Sequence, residues 1–125
     1  MANPSITNAT AIGKEVIRRS YVDALPESST VVVQGVANHI MTIVSIIICN
    51  RTAATDGGFY MYILPDGGTA IYIGVNQIVG KDGTYIWNDK FALTETDTLK
   101  MEATGGGTVT MDVWTTYIDQ QFAAP

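Results

Sequence analysis

The chain has 125 residues, 7 of them basic and 12 acidic, for a net charge of -5 with one His and one Cys. That balance leaves no basic footprint for nucleic acid, and one Cys with one His cannot build a thiolate or imidazole zinc site. No apolar run approaches the length of a membrane-spanning helix, and the opening MANPSITNAT lacks the basic start and apolar stretch of a signal peptide.

In chain order, residues 1–13 carry no charge and read as either a disordered terminus or an extended arm laid over a neighbour, with Ile6 and Ile12 as the arm's apolar anchors. Residues 14–119 read as one β-sandwich domain, and residues 120–125 as a tail in which Phe122 is a possible anchor. Lys14–Val22 (KEVIRRSYV) favours a strand through Val16, Ile17, Tyr21 and Val22, and contains the basic pair Arg18 and Arg19. Thr30–Gln34 is a β-branched strand.

His39–Cys49 (HIMTIVSIIIC) is the most apolar stretch, and its β-branched density predicts strand over helix. Both alternating faces of that strand are apolar: Met41, Ile43 and Ile47 on one, Val44, Ile46 and Ile48 on the other. Covering layers on both sides are therefore expected.

Asn50–Gly58 is a loop. Phe59–Leu64 (FYMYIL), the turn Pro65-Asp66-Gly67-Gly68 and Ala70–Val75 (AIYIGV) predict a hairpin. Lys81-Asp82-Gly83 is a second turn of the same kind, before a short strand at Tyr85–Trp87. Phe91 and Leu93 lead to a polar corner at Thr94–Asp97. The stretches from Thr98 to Ala103 and Thr108 to Ile118 alternate cleanly and read as a final antiparallel hairpin, with Leu99, Met101, Met111 and Val113 facing in. The fold class is all-β: a single antiparallel sandwich of roughly seven or eight strands.

Charge is uneven along the chain. Four basic residues balance four acidic ones from Met1 to Tyr62, whereas three face eight from Ile63 onward. Asp66, Asp82, Asp89 and Asp97 lie beside turn residues, where Asp caps local backbone groups; the first half of the chain is expected to make the contacts.

Catalytic chemistry finds no foothold. His39 is the only imidazole, and no G-x-S-x-G element accompanies it. Cys49 ends an apolar strand and reads as a small hydrophobe. No pair among the carboxylates is singled out by spacing, and the acidic turns at Asp66 and Asp82 offer at most a weak calcium signal. No enzyme activity, cofactor or metal is therefore expected. The aromatic residues permit a surface role, with Trp87, Trp114 and nearby tyrosines able to stack on a sugar or a protein.

The order HIMTIVSIIICN, RTAATDGG, FYMYIL, PDGG, AIYIGV, TETDTLKMEATGG and TVTMDVWTTYI resembles that of small jelly-roll-like virion accessory proteins of tailed bacteriophages, over Val31 to Ile118. The resemblance implies a capsid cement or decoration protein, assembled in the host cytoplasm and resident in the virion. Tail, neck, baseplate or fibre adaptors are the alternative, and a glycan-binding module a further one. Its partners would be copies of itself, as a homotrimer, and the major capsid protein or another virion protein. Neither nucleic acid nor membrane is among them. The residues expected to make these contacts are Ile6, Ile12, Arg18, Arg19, Ile43, Ile47, Phe59 and Met61.

Overall fold

The computed structural model describes residues 15–105 and 107–122. They form β1 (Glu15–Val22), β2 (Thr30–Gln34), β3 (His39–Asn50), β4 (Gly57–Leu64), β5 (Ile71–Val79), β6 (Thr84–Trp87), β7 (Phe91–Thr94), β8 (Thr98–Thr104) and β9 (Met111–Gln121). One sheet has the order β1-β9-β3-β6, with β7 also on β3; the other has the order β2-β8-β4-β5. Every pair is antiparallel. β6 takes Ile46–Cys49 of β3 and β7 takes Ile40–Ile43, so the two act as one strand interrupted at residues 88–90. Consecutive strands thus pass back and forth between two sheets in the winding of a jelly roll.

Two expected hairpins are corrected by this winding. β8 and β9 alternate as expected but lie in different sheets, β8 on β4 and β9 on β3. The connection through Asp82 likewise crosses from β5 to the opposite sheet. Alternation fixes which side of a strand faces in, but it does not say which strand lies beside it. The hairpin of β4 and β5 is present, turning through Asp66 and Gly67 at φ 50° and 72°.

The core lies between the sheets. Ile43, Ile46, Ile48, Phe59, Met61, Leu93, Leu99, Met101 and Met111 are all fully buried. Each such side chain contributes about 1.5–3 kcal/mol over leaving it in water.

β3 reaches this core from both of its apparent faces because its pairing with β9 shifts register between Ile43 and Ser45. This β-bulge inserts one extra residue, so the inward set changes from Met41 and Ile43 to Ile46 and Ile48. The second apolar face therefore needs no covering layer along most of its length; what stays outward is Ile40 and Ile47.

The ends of the sandwich are tied by acidic turns. Asp97 accepts hydrogen bonds from the Thr94 and Asp66 N–H groups at 3.0 and 3.1 Å, and Asp56 from that of Lys81 at 3.0 Å. Gly35 donates its N–H to Asp97 at 2.7 Å, and its α-carbon is pressed so close that a Cβ would stand 2.5 Å from two backbone carbonyl oxygens. The two halves of the chain are interleaved: β1 and β3 pair with β9 in one sheet, β2 and β4 with β8 in the other. The expected split between a contacting first half and an acidic second half has no spatial counterpart.

Candidate interaction face

Alternation along β1 sends Ile17, Arg19 and Tyr21 outward, and β9 sends Asp112, Trp114, Thr116 and Ile118 to the same side. Cross-strand register then assembles rows. Tyr21 pairs with Trp114, Trp114 with Ile47 and Ile47 with Ile86, so one row crosses four strands of the sheet. All four members are open to solvent, at 60%, 45%, 39% and 56% exposure. A lone exposed apolar residue is ordinary, whereas a continuous exposed apolar row is a candidate contact surface.

The rows on either side are charged or polar. Toward the chain's Ala24 corner, Cys49 pairs with Asp112, and Asp23 follows the end of β1. Arg51 bridges these acids, with Nε 2.7 Å from Asp112 and Nη2 3.4 Å from Asp23. Burial pushes the Asp112 carboxyl up, but the Ala24 N–H and the Arg51 guanidinium outweigh it and hold Asp112 below its ordinary value. On the opposite side, Arg19 pairs with Thr116 and Thr116 with Ser45. The Arg19 guanidinium rests 5.3 Å from the Tyr21 ring centroid and 5.2 Å from that of Trp114, the rings themselves stacking 5.9 Å apart. A groove of about 390 Å³ opens beside the ring pair, lined by Val22, Asp23, Ile47, Cys49, Asp112 and Val113 as well as both rings.

Arg18 points the other way from Arg19. Its Nε lies 2.9 Å from Oδ2 of the buried Asp119, whose Oδ1 meets His39 Nδ1 at 2.6 Å. These three close one end of the sandwich. Tyr117 beside them is raised above its usual value by burial, an effect that Arg18 opposes and Asp119 reinforces. The one imidazole is thus bound up with a carboxylate and a guanidinium. No group of three or more His, Cys, Asp or Glu side chains among the described residues is placed to hold a metal ion.

Of the residues expected to make contacts, Arg19 and Ile47 lie on this face, and Arg18 is tied to Asp119. Ile43, Phe59 and Met61 are a correction: each is fully buried between the sheets and presents nothing to a partner. Ile6 and Ile12 lie outside the described residues. Tyr85 and Trp87 pack against the core, with Tyr85 edge-on to Phe59 at 5.3 Å, so of the two tryptophans able to stack on a partner it is Trp114 that stands open to solvent. Sequence reading missed Tyr21, Ile86 and Arg51 because only the register brings them together; the outward alternation of Ile17, Arg19 and Tyr21 was the available signal.

The outer face of the other sheet is of a different kind. Val31, Lys100, Tyr62 and Tyr72 form its corresponding row, the Tyr62 hydroxyl bonds Ser29 at 2.6 Å, and Glu102 pairs beside Tyr60.

No protein-family model and no curated protein sequence matches this chain. Solved structures do match. A chain of the Bacillus endospore appendages, described as disulfide-linked pili, superimposes with a TM-score of 0.52 at 13% identity over 87% of this chain and 89% of that one. A chain of the acid-stable capsid of Helicobacter pylori bacteriophage KHP30 gives a TM-score of 0.51 at 8% identity, covering 83% and 86%. At these identities, what this chain shares with both is its fold.

Proposed function

We propose that this chain is a structural component of a virus particle, acting as a capsid cement or decoration protein of a tailed bacteriophage. The observation that carries this reading is a jelly-roll winding whose outer sheet face keeps an unbroken apolar row, Tyr21–Trp114–Ile47–Ile86, open to solvent. A rigid sheet presenting such a row is suited to adhesion. The similarity in fold to a phage capsid chain supports the same reading. The similarity to a disulfide-linked pilus favours it less, because one Cys allows one disulfide per copy, which pairs copies and does not link a series.

The mechanism is shape-complementary burial against the major capsid protein or another virion protein, without a cofactor or a chemical step. Each contact need only be modest, because a lattice makes attachment multivalent. Arg19 and Ile47 would contribute from the sheet face, and Ile6 and Ile12 from the arm. A homotrimer built on Ile43, Phe59 and Met61 loses those residues to the core, so self-association must use the outward faces.

Purified protein added to shells stripped of it tests the reading. Rebinding that raises the heat resistance of the shells, and that Ile47→Asp abolishes, is expected. Failure of the folded protein to bind any form of the particle would overturn it.

A further inference from the structure

We infer that the outer face of the five-stranded sheet docks a second copy of this chain, about a two-fold axis that runs along the row Tyr21–Trp114–Ile47–Ile86. The order of rows leads to this occupant. Along the strands the face reads acid, apolar, base: Asp23 with Asp112, then the apolar row, then Arg19. On β1 these are residues 23, 21 and 19, each outward position about 6.7 Å from the next. A two-fold axis laid in the plane of contact along the middle row leaves each strand over its own counterpart and reverses its direction. It therefore sets the apolar row on itself, and Arg19 of each copy over the partner's Asp23.

The charges match in number as well as place. The acidic end carries Asp23 and Asp112 against the single guanidinium of Arg51, leaving one negative charge over. Asp23 keeps 82% of its side chain exposed despite Arg51. Arg19 has no carboxylate partner within 4.0 Å among the described residues and is held by the two rings alone. The site pre-positions it beside the row and leaves its charge unanswered.

Four strands at about 4.8 Å and three rows at about 6.7 Å give a footprint of about 400 Å² per copy. That is the size of a weak, transient interface, so association is expected only toward the upper end of micromolar concentrations. The pairing is a property of the free chain and stands whether or not the chain belongs to a virion; on a particle the same row would exchange the partner copy for the shell.

Sedimentation velocity on the full chain, across about 1–300 µM, tests it. Dimers are expected, with Arg19→Glu and Asp23→Arg each weakening association about tenfold or more, since each sets like charges opposite one another. The double variant R19E/D23R restores opposite charges across the axis and should return to within about threefold of the original constant. Trp114→Ala should weaken pairing at least as much as either reversal, because a central exposed Trp is the expected anchor. All three positions are at the surface, and unchanged thermal melting verifies that the variants fold. A protein that stays monomeric, forms trimers, or dimerises with no response to the reversals overturns the inference. So does a double variant that fails to recover, or a dimer lost on I6D/I12D and kept on Trp114→Ala, which would give the face to the N-terminal arm.

Discussion

Asn50 offers the sharpest test of how this fold holds its contact face in place. It ends β3 and is fully buried. Its Nδ2 donates to the Thr55 and Val79 carbonyls at 3.0 and 3.1 Å, and its Oδ1 accepts the Thr52 N–H at 2.9 Å. One side chain thereby ties the end of β3 to the following loop and to β5. Replacing Asn50 with Ala removes all three bonds. The Thr52 and Thr55 groups lie nearer the surface and can turn to water, at a cost of about 0.5–1.5 kcal/mol each. The Val79 carbonyl is stranded in the interior, at about 1–3 kcal/mol. The total is about 2–6 kcal/mol, centred near about 4, which for a chain of this size moves the urea midpoint by about 2–3 M at an unchanged slope.

Asn50→Asp sharpens the reasoning further. It preserves the acceptor for Thr52 but turns an oxygen toward two carbonyl oxygens, so at neutral pH it should cost more than Ala. Equilibrium urea unfolding monitored by tryptophan fluorescence measures both. An Ala variant that loses less than about 1 kcal/mol, or an Asp variant as stable as the parent, would refute the assignment of these bonds. Because Arg51 follows directly, loosening Asn50 also frees the guanidinium that holds Asp112 and Asp23.

Three more predictions follow from the same geometry. Gly35→Ala drives a methyl group into two backbone carbonyls and should cost about 2 kcal/mol or more; an unchanged melting temperature would contradict the tight approach. Ile46→Asp should prevent folding, whereas Ile47→Asp should fold with near-parental melting and lose surface contacts; equal behaviour of these neighbours would contradict the bulge. Asp112→Asn should be less stable than the parent at pH 6. Because the folded carboxyl lies below its unfolded value of about 3.9, that difference is present above the unfolded value and is lost as pH falls through the folded one. A difference undiminished at about pH 2 would rule out the charge on Asp112 as its source.

Much of the sandwich was legible because β-branching and alternation are local properties. Val31–Gln34 and Ile43–Ile48 could hardly be anything but strand, and the inward positions of Leu99, Met101, Met111 and Val113 followed from period two. What was not legible depends on partners. A bulge at Val44–Ser45 reads in sequence as a strand greasy on both sides, which led to a contact role for Ile43 that its burial removes. Phe59 and Met61 are alike in this: an apolar side chain carries the same sequence signature whether it faces a partner or the opposite sheet. The aromatic row went unseen because Tyr21 and Trp114 are far apart in the chain and meet only through the pairing of β1 with β9.

The most direct measurement for the central claim is cryo-electron density of the native particle, into which the jelly roll can be fitted. The account predicts the domain on the shell at a copy number that matches the capsid lattice, with the Tyr21–Trp114–Ile47–Ile86 face buried in a contact. A particle whose density holds no copy of the domain, or one in which that face stands fully in solvent, would contradict it.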